Sequence, residues 1–285
     1  MNIPDYRGGS LVNLMSSLEH SFSGNPQYPA LKIEMPDSLQ KCRNTVLLVI
    51  DGMGYDFLTQ NAKSRFLLDG LRGRLTSVFP PTTASAITTV LTGTAPQQHG
   101  LTGWFVFLRE TGTLTRILPF TPRCGSMRLG RDVPIRSILQ SRPFSERIRA
   151  KTITVMRRDL ISSDYNSAFA GTSDVLGYSN MRGFFRQISR AVRAKGNRKF
   201  IYAYWSELDS ISHERGTKSR KTVRHLRRLE SALENFLRSM QDTDTTVLVT
   251  ADHGLINVPA DKSLHLDDHP ELRKCMTLPF CGDSR

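Results

Sequence analysis

Cysteine, tryptophan and long apolar runs are scarce in this chain of 285 residues, and their scarcity excludes several classes of protein. The four cysteines show neither CxxC spacing nor the density of a disulfide-bonded scaffold, so we expect reduced thiols. Cys275 and Cys281 are expected to pack as ordinary side chains rather than to form a disulfide or a metal site. No apolar run reaches the ~18 residues of a membrane span, and the N-terminus has no signal-peptide pattern. These absences predict a soluble, cytoplasmic protein.

Acidic residues are also few, because 26 aspartates and glutamates stand against 39 lysines and arginines, a formal net charge of +13. Basic residues concentrate between Arg215 and Arg228, and apolar residues recur at helical spacing from Val223 to Met240. This pattern predicts an amphipathic helix with a basic, solvated outer face. A polyanion site is the alternative, although no recognition-helix, zinc-finger or RNA-binding aromatic signature supports base reading.

Three continuous apolar runs are each followed by carboxylates, and two of them also by a histidine. The runs are 45–50, 199–205 and 245–251, and the polar residues after them are Asp51, Asp209, His213, Asp252 and His253. Such runs are typical of strands covered on both faces of a parallel sheet. Ligands bind beyond the carboxyl ends of such strands, so these side chains are expected to meet at one edge.

The order of the remaining patterns predicts a doubly wound, mainly parallel α/β sheet with helices on both faces. Residues 1–43 show little periodicity and are predicted to form an N-terminal surface segment. One α/β domain is predicted over 44–285, with a cap-like insertion at about 101–150. Local patterns predict helices over 55–71, 84–91 and 181–194, strands over 74–79, 152–156 and 167–170, and a hairpin of 104–108 with 114–118.

The polar residues at the strand ends are of the types that bind divalent cations. Asp51-Gly52 taken alone is more typical of a turn or a helix cap. Three strand ends with carboxylates favour ligation instead, because carboxylate oxygen and imidazole nitrogen suit zinc and similar ions. Two ions about 4 Å apart can stabilise both the attacking and the leaving oxygen of a phosphoryl displacement. A hydrolytic reaction at phosphorus accounts for all of these residues.

Several short motifs follow one another in a fixed order along the chain. They are Asp51-Gly52, Phe79-Pro80-Pro81-Thr82-Thr83, Thr92-Gly93 with Pro96 and His99-Gly100, Asp209 with His213, and Asp252-His253-Gly254. This combination, which covers residues 44–258, resembles the alkaline phosphatase superfamily and within it the type I phosphodiesterase and nucleotide pyrophosphatase branch. The resemblance implies an alkaline phosphatase-like fold and metal-dependent hydrolysis of phosphodiester or pyrophosphate bonds in a small phosphorylated substrate.

The resemblance also implies two divalent ions, zinc in the first place and manganese as the alternative. One ion would be bound by Asp51, Thr83, Asp252 and His253, and the other by Asp209, His213 and a third ligand. Thr83 matches the family's nucleophile and would form a phosphothreonine intermediate, at a helix start whose amide groups favour an anion. An N-cap role is the alternative for Thr83. Thr82 and Ser85 are the other nucleophile candidates.

Two departures from the family pattern concern the second ion and the substrate. Family members supply the third ligand from a histidine in a C-terminal segment that has no counterpart here, so a C-terminal truncation and a weaker second site are expected. His265 and His269 are expected at the surface, and His99 in a turn-stabilising hydrogen bond. An asparagine that binds a phosphoryl oxygen in nucleotide pyrophosphatases has no match in residues 101–105.

These departures leave two further interpretations open. The first is a phosphonate or phosphomonoester hydrolase with the same site. The second is a noncatalytic, truncated homologue that binds polyanions or a protein partner.

Overall fold

The computed structural model describes residues 3–258, 260–262 and 265–275, and its centre is a five-stranded parallel sheet. Strands in the described residues are β1 (Asn44–Ile50), β2 (Phe105–Leu108), β3 (Thr113–Arg116), β4 (Thr121–Pro122), β5 (Lys151–Arg157), β6 (Asp174–Tyr178), β7 (Lys199–Trp205) and β8 (Thr245–Thr250). The large sheet has the order β6-β5-β7-β1-β8, and β2, β3 and β4 form a separate antiparallel sheet. The predicted α/β architecture with a mainly parallel sheet is confirmed.

The two central strands explain why the candidate site lies at one edge of the sheet. Every residue of β1 and β7 is buried, as their uninterrupted apolar character predicts. In the register of the sheet, Val49 of β1 stands beside Tyr204 of β7 and Thr250 of β8. The residues that follow these strands therefore leave the sheet side by side.

Helices cover both faces of this sheet. The α-helices in the described residues are α1 (Leu11–Ser21), α2 (Ser38–Lys41), α3 (Tyr55–Asn61), α4 (Arg65–Asp69), α5 (Thr83–Thr92), α6 (Pro96–His99), α7 (Ile135–Ile138), α8 (Asp164–Phe169), α9 (Met181–Arg193), α10 (Glu207–Arg215), α11 (Arg220–Arg238) and α12 (Pro270–Lys274). Apolar residues of α1 and α5 pack on one face, and those of α3, α9 and α11 pack on the other. Helices on both faces of the sheet are what the predicted doubly wound fold requires.

Two local strand predictions are wrong. Residues 164–169 form helix α8, whose N-cap Ser163 accepts a hydrogen bond from the amide of Asn166. Tyr165 and Phe169, four residues apart, pack in the core with ring centroids 4.8 Å apart, so capping and side-chain packing stabilise a helix here rather than a strand. Residues 74–79 have no neighbouring strand and make one isolated bridge, between Thr76 and Ser10. Strand β6, which pairs with β5, was missed by the sequence patterns.

Other local predictions agree with the structure. The hairpin is formed by β2 and β3, strand β5 contains 152–156, and helix α9 ends one residue before its predicted end. The predicted helix over 55–71 is divided into α3 and α4. Free thiols are present at Cys42, Cys124 and Cys275, whereas Cys281 lies outside the described residues. Across the described ranges, no helix has the length and apolar character needed to span a bilayer.

The N-terminal segment is not wholly at the surface, contrary to the prediction for residues 1–43. Leu11, Met15 and Leu18 of α1 are almost completely buried and belong to the core that α5 also lines. Glu19 forms a buried ion pair with Arg147, and Arg147 also donates to the carbonyl oxygen of Thr92 at the end of α5. The helical spacing of the apolar residues explains the burial, because it gives α1 one continuous apolar face.

Candidate active site

The first carboxylate of the site is held by the turn that ends β1. The amide of Asp51 donates to the carbonyl oxygen of Trp205 at 2.9 Å, which continues the pairing with β7 for one more residue. Gly52 then adopts a φ of 72°, in the left-handed region that favours glycine. Asp51 is 3% exposed, so its carboxylate is removed from water at the edge of the sheet.

Helix α5 begins beside this turn, and its capping distinguishes its first threonines. Thr82 is the N-cap, and its hydroxyl accepts a hydrogen bond from the amide of Ser85. Thr83 is the first helical residue, and its Oγ1 lies 3.4 Å from Asp51 Oδ1 and 3.0 Å from His253 Nε2. The N-cap role therefore belongs to Thr82, whereas the hydroxyl of Thr83 faces the carboxylate and the imidazole.

The turn after β8 supplies a second carboxylate and the imidazole. Asp252 Oδ1 accepts hydrogen bonds from the amides of Gly52 at 3.1 Å and His253 at 2.8 Å. Asp252 Oδ2 is buried and has no hydrogen-bond partner within the described part of the chain. His253 Nδ1 lies 3.1 Å from the carbonyl oxygen of Gly254, which can only accept, so Nδ1 carries the proton. This tautomer would leave Nε2 of the neutral ring free to bind a cation.

The ligand atoms of these residues are spaced as a single cation would require. His253 Nε2 lies 3.4 Å from Asp51 Oδ1 and 3.5 Å from Asp252 Oδ2. Ligands about 2.0 Å from a tetrahedral zinc ion lie about 3.3 Å from one another, close to these values and to the distances from Thr83 Oγ1. Asp51, Asp252 and His253 form the one three-residue group of potential metal ligands found among the described residues.

Electrostatics at the site also favour a bound cation. Burial raises the pKa of Asp51 well above its ordinary value, and the negative charges of Asp252 and Asp209 raise it further. Three carboxylates close together in a region of low dielectric constant repel one another strongly. A divalent cation would offset this repulsion and would give Asp252 Oδ2 a partner.

Asp209 and His213 lie next to this cluster, on α10. A Cβ atom built on Gly52 would lie 3.2 Å from the Cβ of Asp209, which places Asp209 against the Asp51-Gly52 turn. His213 Nε2 lies 3.3 Å from Asp209 Oδ1, as the four-residue spacing on a helix predicts. Within the described ranges these two residues are not joined by a third ligand.

The remaining histidines agree with their predicted structural roles. His265 and His269 are exposed. His99 is buried, and its Nδ1 accepts a hydrogen bond from the amide of Leu101 at 3.1 Å. Burial lowers the pKa of His99 to about 4, so the ring is neutral and stabilises the turn after α6.

Two features of the site were missed by the sequence patterns. The hydroxyl of Tyr204 donates a hydrogen bond to Asp51 Oδ2. The other carboxylate oxygen, Oδ1, then faces Thr83. Gly54 and Gly254 bring the two ligand-bearing turns into backbone contact, since a Cβ on Gly54 would lie 2.5 Å from the Cα of Gly254. Tyr204 sits near the end of the β7 run, Gly54 follows Asp51 by three residues, and Gly254 directly follows His253. That proximity is the only signal in the sequence, because the contacts join segments 150 or more residues apart.

Comparison with known proteins identifies the family. The model of type I phosphodiesterases and nucleotide pyrophosphatases matches residues 45–280. This chain belongs to that family. Members of the family typically depend on divalent metal ions. Comparison with curated proteins gives no match.

Solved structures share the fold of this family member at low sequence identity. Murine ectonucleotide pyrophosphatase/phosphodiesterase 5 is 17% identical with a TM-score of 0.61, over 79% of this chain and 61% of its own. An inactive threonine-to-alanine variant of that murine protein in complex with AMP is also 17% identical and gives a TM-score of 0.59, over 79% of this chain and 60% of its own. Phosphonoacetate hydrolase from Sinorhizobium meliloti in complex with phosphonoformate is 17% identical with a TM-score of 0.51, over 80% of this chain and 61% of its own. This chain therefore spans about three-fifths of the length of these proteins.

Proposed function

We propose that this chain is a metal-dependent hydrolase of phosphodiester or pyrophosphate bonds and that Thr83 is its nucleophile. The observation that carries the proposal is the contact of the Thr83 hydroxyl with Asp51 and His253, beside three buried carboxylates. Family membership supports the reaction class. The inactive threonine-to-alanine variant of the murine protein supports a threonine in the central role, and its complex with AMP supports a nucleotide-like substrate.

The proposed ligand sets follow from the positions of the side chains. Asp51, Thr83, Asp252 and His253 would hold one divalent ion, and Asp209 with His213 would contribute to the second. The mixture of carboxylate oxygen and imidazole nitrogen suits zinc, with manganese as the alternative. When bound, the ions would lower the pKa of the threonine hydroxyl and offset negative charge on the phosphoryl group.

The residues of the chain would carry the substrate through two displacements. Thr83 Oγ1 attacks phosphorus as the bond from phosphorus to the leaving oxygen breaks, and the proton that Oγ1 gives up is balanced by the proton that the leaving alcohol takes up. Water then cleaves the resulting phosphothreonine and restores the hydroxyl. The amides of the first turn of α5 and the positive end of its dipole favour the phosphoryl oxygens, because Thr83 lies at position N1 of the helix.

Metal removal tests this function directly. The protein dialysed against a chelator should not hydrolyse an aryl phosphodiester, and turnover should return when zinc or manganese is added. Mass spectrometry of metal content should find an ion in the wild type, and much less in Asp252→Asn. Asparagine keeps the shape of the side chain and an oxygen that can accept from the amides of Gly52 and His253. It removes the negative charge that would bind a cation at the position of Oδ2.

The outcome of the same assay separates the remaining functions. If an aryl phosphomonoester or phosphonoacetate is turned over faster than the aryl phosphodiester, the protein is a phosphomonoester or phosphonate hydrolase instead. Turnover that persists after complete metal removal would contradict the metal dependence. Absence of both metal and turnover in the purified wild type would favour a noncatalytic homologue.

Tyr204 provides a matched test of how Asp51 is oriented. Tyr204→Phe removes the hydrogen bond to Asp51 Oδ2, so we expect cation affinity to fall about 10-fold, in the range typical of such outer partners. Tyr202→Phe is the control, because Tyr202 is two residues away on β7 and its buried hydroxyl has no hydrogen-bond partner among the described residues. Calorimetric titration with zinc measures both. Equal losses in the two variants would refute the orienting role.

A further inference from the structure

Helices α9 and α11 carry an outer face that is almost entirely cationic. The face consists of Arg182, Arg186, Arg190 and Arg193 of α9 and Arg220, Lys221, Arg224, Arg227, Arg228 and Arg238 of α11, all of them exposed. We call this set the basic face. Helix α9 contains no acidic residue, and α11 contains only Glu230, which is buried, and Glu234. Ten of the chain's 39 lysines and arginines are therefore presented by two helices.

The two helices pack side by side toward the C-terminal end of α11 and cover the same face of the sheet, so their exposed cations lie on one side of the fold. Phe185 of α9 and Phe236 of α11 pack with ring centroids 5.4 Å apart. The guanidinium group of Arg193 donates to the carbonyl oxygen of Ser239 at 3.1 Å, which joins the ends of the helices. A shallow groove of about 440 Å³ runs between them, with Arg182 and Arg186 on its α9 side.

The spacing of the charges differs from that of an ordinary solvated helix face. Solvated faces usually mix charges of both signs, which gives favourable pairs four residues apart. Here Arg182, Arg186 and Arg190 follow at intervals of four residues, as do Arg220, Arg224 and Arg228, and like charges at this spacing destabilise a helix. Arg238 is paired with Glu234. The other cations of the basic face form no ion pair within the described part of the chain.

We propose that the basic face binds the phosphate backbone of a nucleic acid. A polyanion would offset the repulsion between the like charges, and nine of the ten cations are arginines, whose planar guanidinium groups bind phosphate oxygens in pairs. On α11 the unpaired cations run from Arg220 to Arg228 and span about 12 Å, the length of about four base pairs. Such contacts fix position on the backbone without reading bases, in agreement with the lack of a base-reading signature.

An anionic membrane fits these helices less well. The apolar faces of α9 and α11 pack against the sheet and are not free to insert into a bilayer. The large exposed apolar side chains in the described ranges all lie outside these two helices. The inference does not rest on the proposed hydrolysis, because it concerns residues on other elements of the fold.

Binding to a labelled DNA duplex of about 20 base pairs tests the inference, with a chelator present so that no metal-dependent cleavage occurs. Fluorescence anisotropy should detect binding that weakens as salt rises from about 50 to 200 mM. The variants Arg182→Gln/Arg186→Gln/Arg190→Gln and Arg224→Gln/Arg227→Gln/Arg228→Gln should each lose at least about 10-fold in affinity. The slope of log K against log salt should become shallower by up to about 2.7, since each lost phosphate contact contributes about 0.9.

A variant with the same change in charge provides the control. Arg72→Gln/Arg109→Gln/Arg131→Gln removes three exposed cations outside the basic face, and it should lose less than about threefold in affinity. Both basic-face variants should melt at or above the wild-type temperature, because they remove like-charge neighbours. Equal loss of affinity in the control variant would overturn the proposal. So would binding to phosphatidylserine vesicles without binding to the duplex, or no binding at low salt.

Discussion

Thr83→Ala is expected to reduce hydrolysis of an aryl phosphodiester by roughly 10³-fold or more, since it removes the atom that would attack phosphorus. The hydroxyl lies 3.0 Å from His253 Nε2 and 3.4 Å from Asp51 Oδ1, and no other hydroxyl of the first turn of α5 has these neighbours in the described chain. The loss should appear in kcat, because the bond between Thr83 and phosphorus forms only during the reaction. Steady-state kinetics with added zinc measures it.

Thr82→Ala is the matched control for this loss. Thr82 precedes Thr83 and caps the same helix, so its replacement should lower the free energy of unfolding by about 1 kcal/mol but leave most of the turnover. Acid quenching during turnover should trap the phosphoryl group, still carrying the second ester of the substrate, on the wild type and on Thr82→Ala, and none on Thr83→Ala. Retained turnover in Thr83→Ala, or an equal loss in Thr82→Ala, would remove Thr83 from its proposed role.

Gly54→Ala is expected to reduce turnover by about 10²-fold, although residue 54 is not a ligand. The new Cβ would lie 2.5 Å from the Cα of Gly254, and no side-chain rotation relieves this contact, because the backbone fixes the position of the Cβ and the Cα is itself a backbone atom. An ordinary carbon contact is about 3.5 Å or longer, so the turns that carry Asp51 and His253 would move apart by about 1 Å. Overpacking of this kind should also lower the free energy of unfolding by about 1–3 kcal/mol.

Gly70→Ala controls for the substitution itself. Gly54 has a φ of −59° and Gly70 a φ of −79°, so the backbone accepts alanine at both positions. At Gly70 the nearest atom to the new Cβ would be the carbonyl oxygen of Phe66 at 3.4 Å, an ordinary contact. Chemical denaturation and zinc titration compare the two variants. If Gly54→Ala matches Gly70→Ala in zinc affinity and in turnover, the contact between the two turns does not determine the geometry of the site.

The sequence was informative wherever a residue's environment follows from its neighbours in the chain. Uninterrupted apolar runs predicted β1 and β7, because a strand buried on both faces has no polar side to preserve. The third run also forms a strand, but β8 lies at the edge of the sheet and most of its residues are partly exposed. The spacing of Asp209 and His213 predicted their approach on one helical turn. The same reasoning failed at residues 167–170, where an N-cap at Ser163 and the packing of Tyr165 against Phe169 stabilise a helix.

By itself the sequence determined the parallel sheet, the family motifs and the types of side chain at the strand ends, because these depend on local patterns. Only the tertiary structure decided how those side chains are oriented. The hydrogen bond from Tyr204 to Asp51, the hydrogen bond from the amide of Gly52 to Asp252 Oδ1 and the contact of Gly54 with Gly254 each join segments far apart in the chain. Such contacts depend on the packing of strands against one another, which no local pattern of residues records.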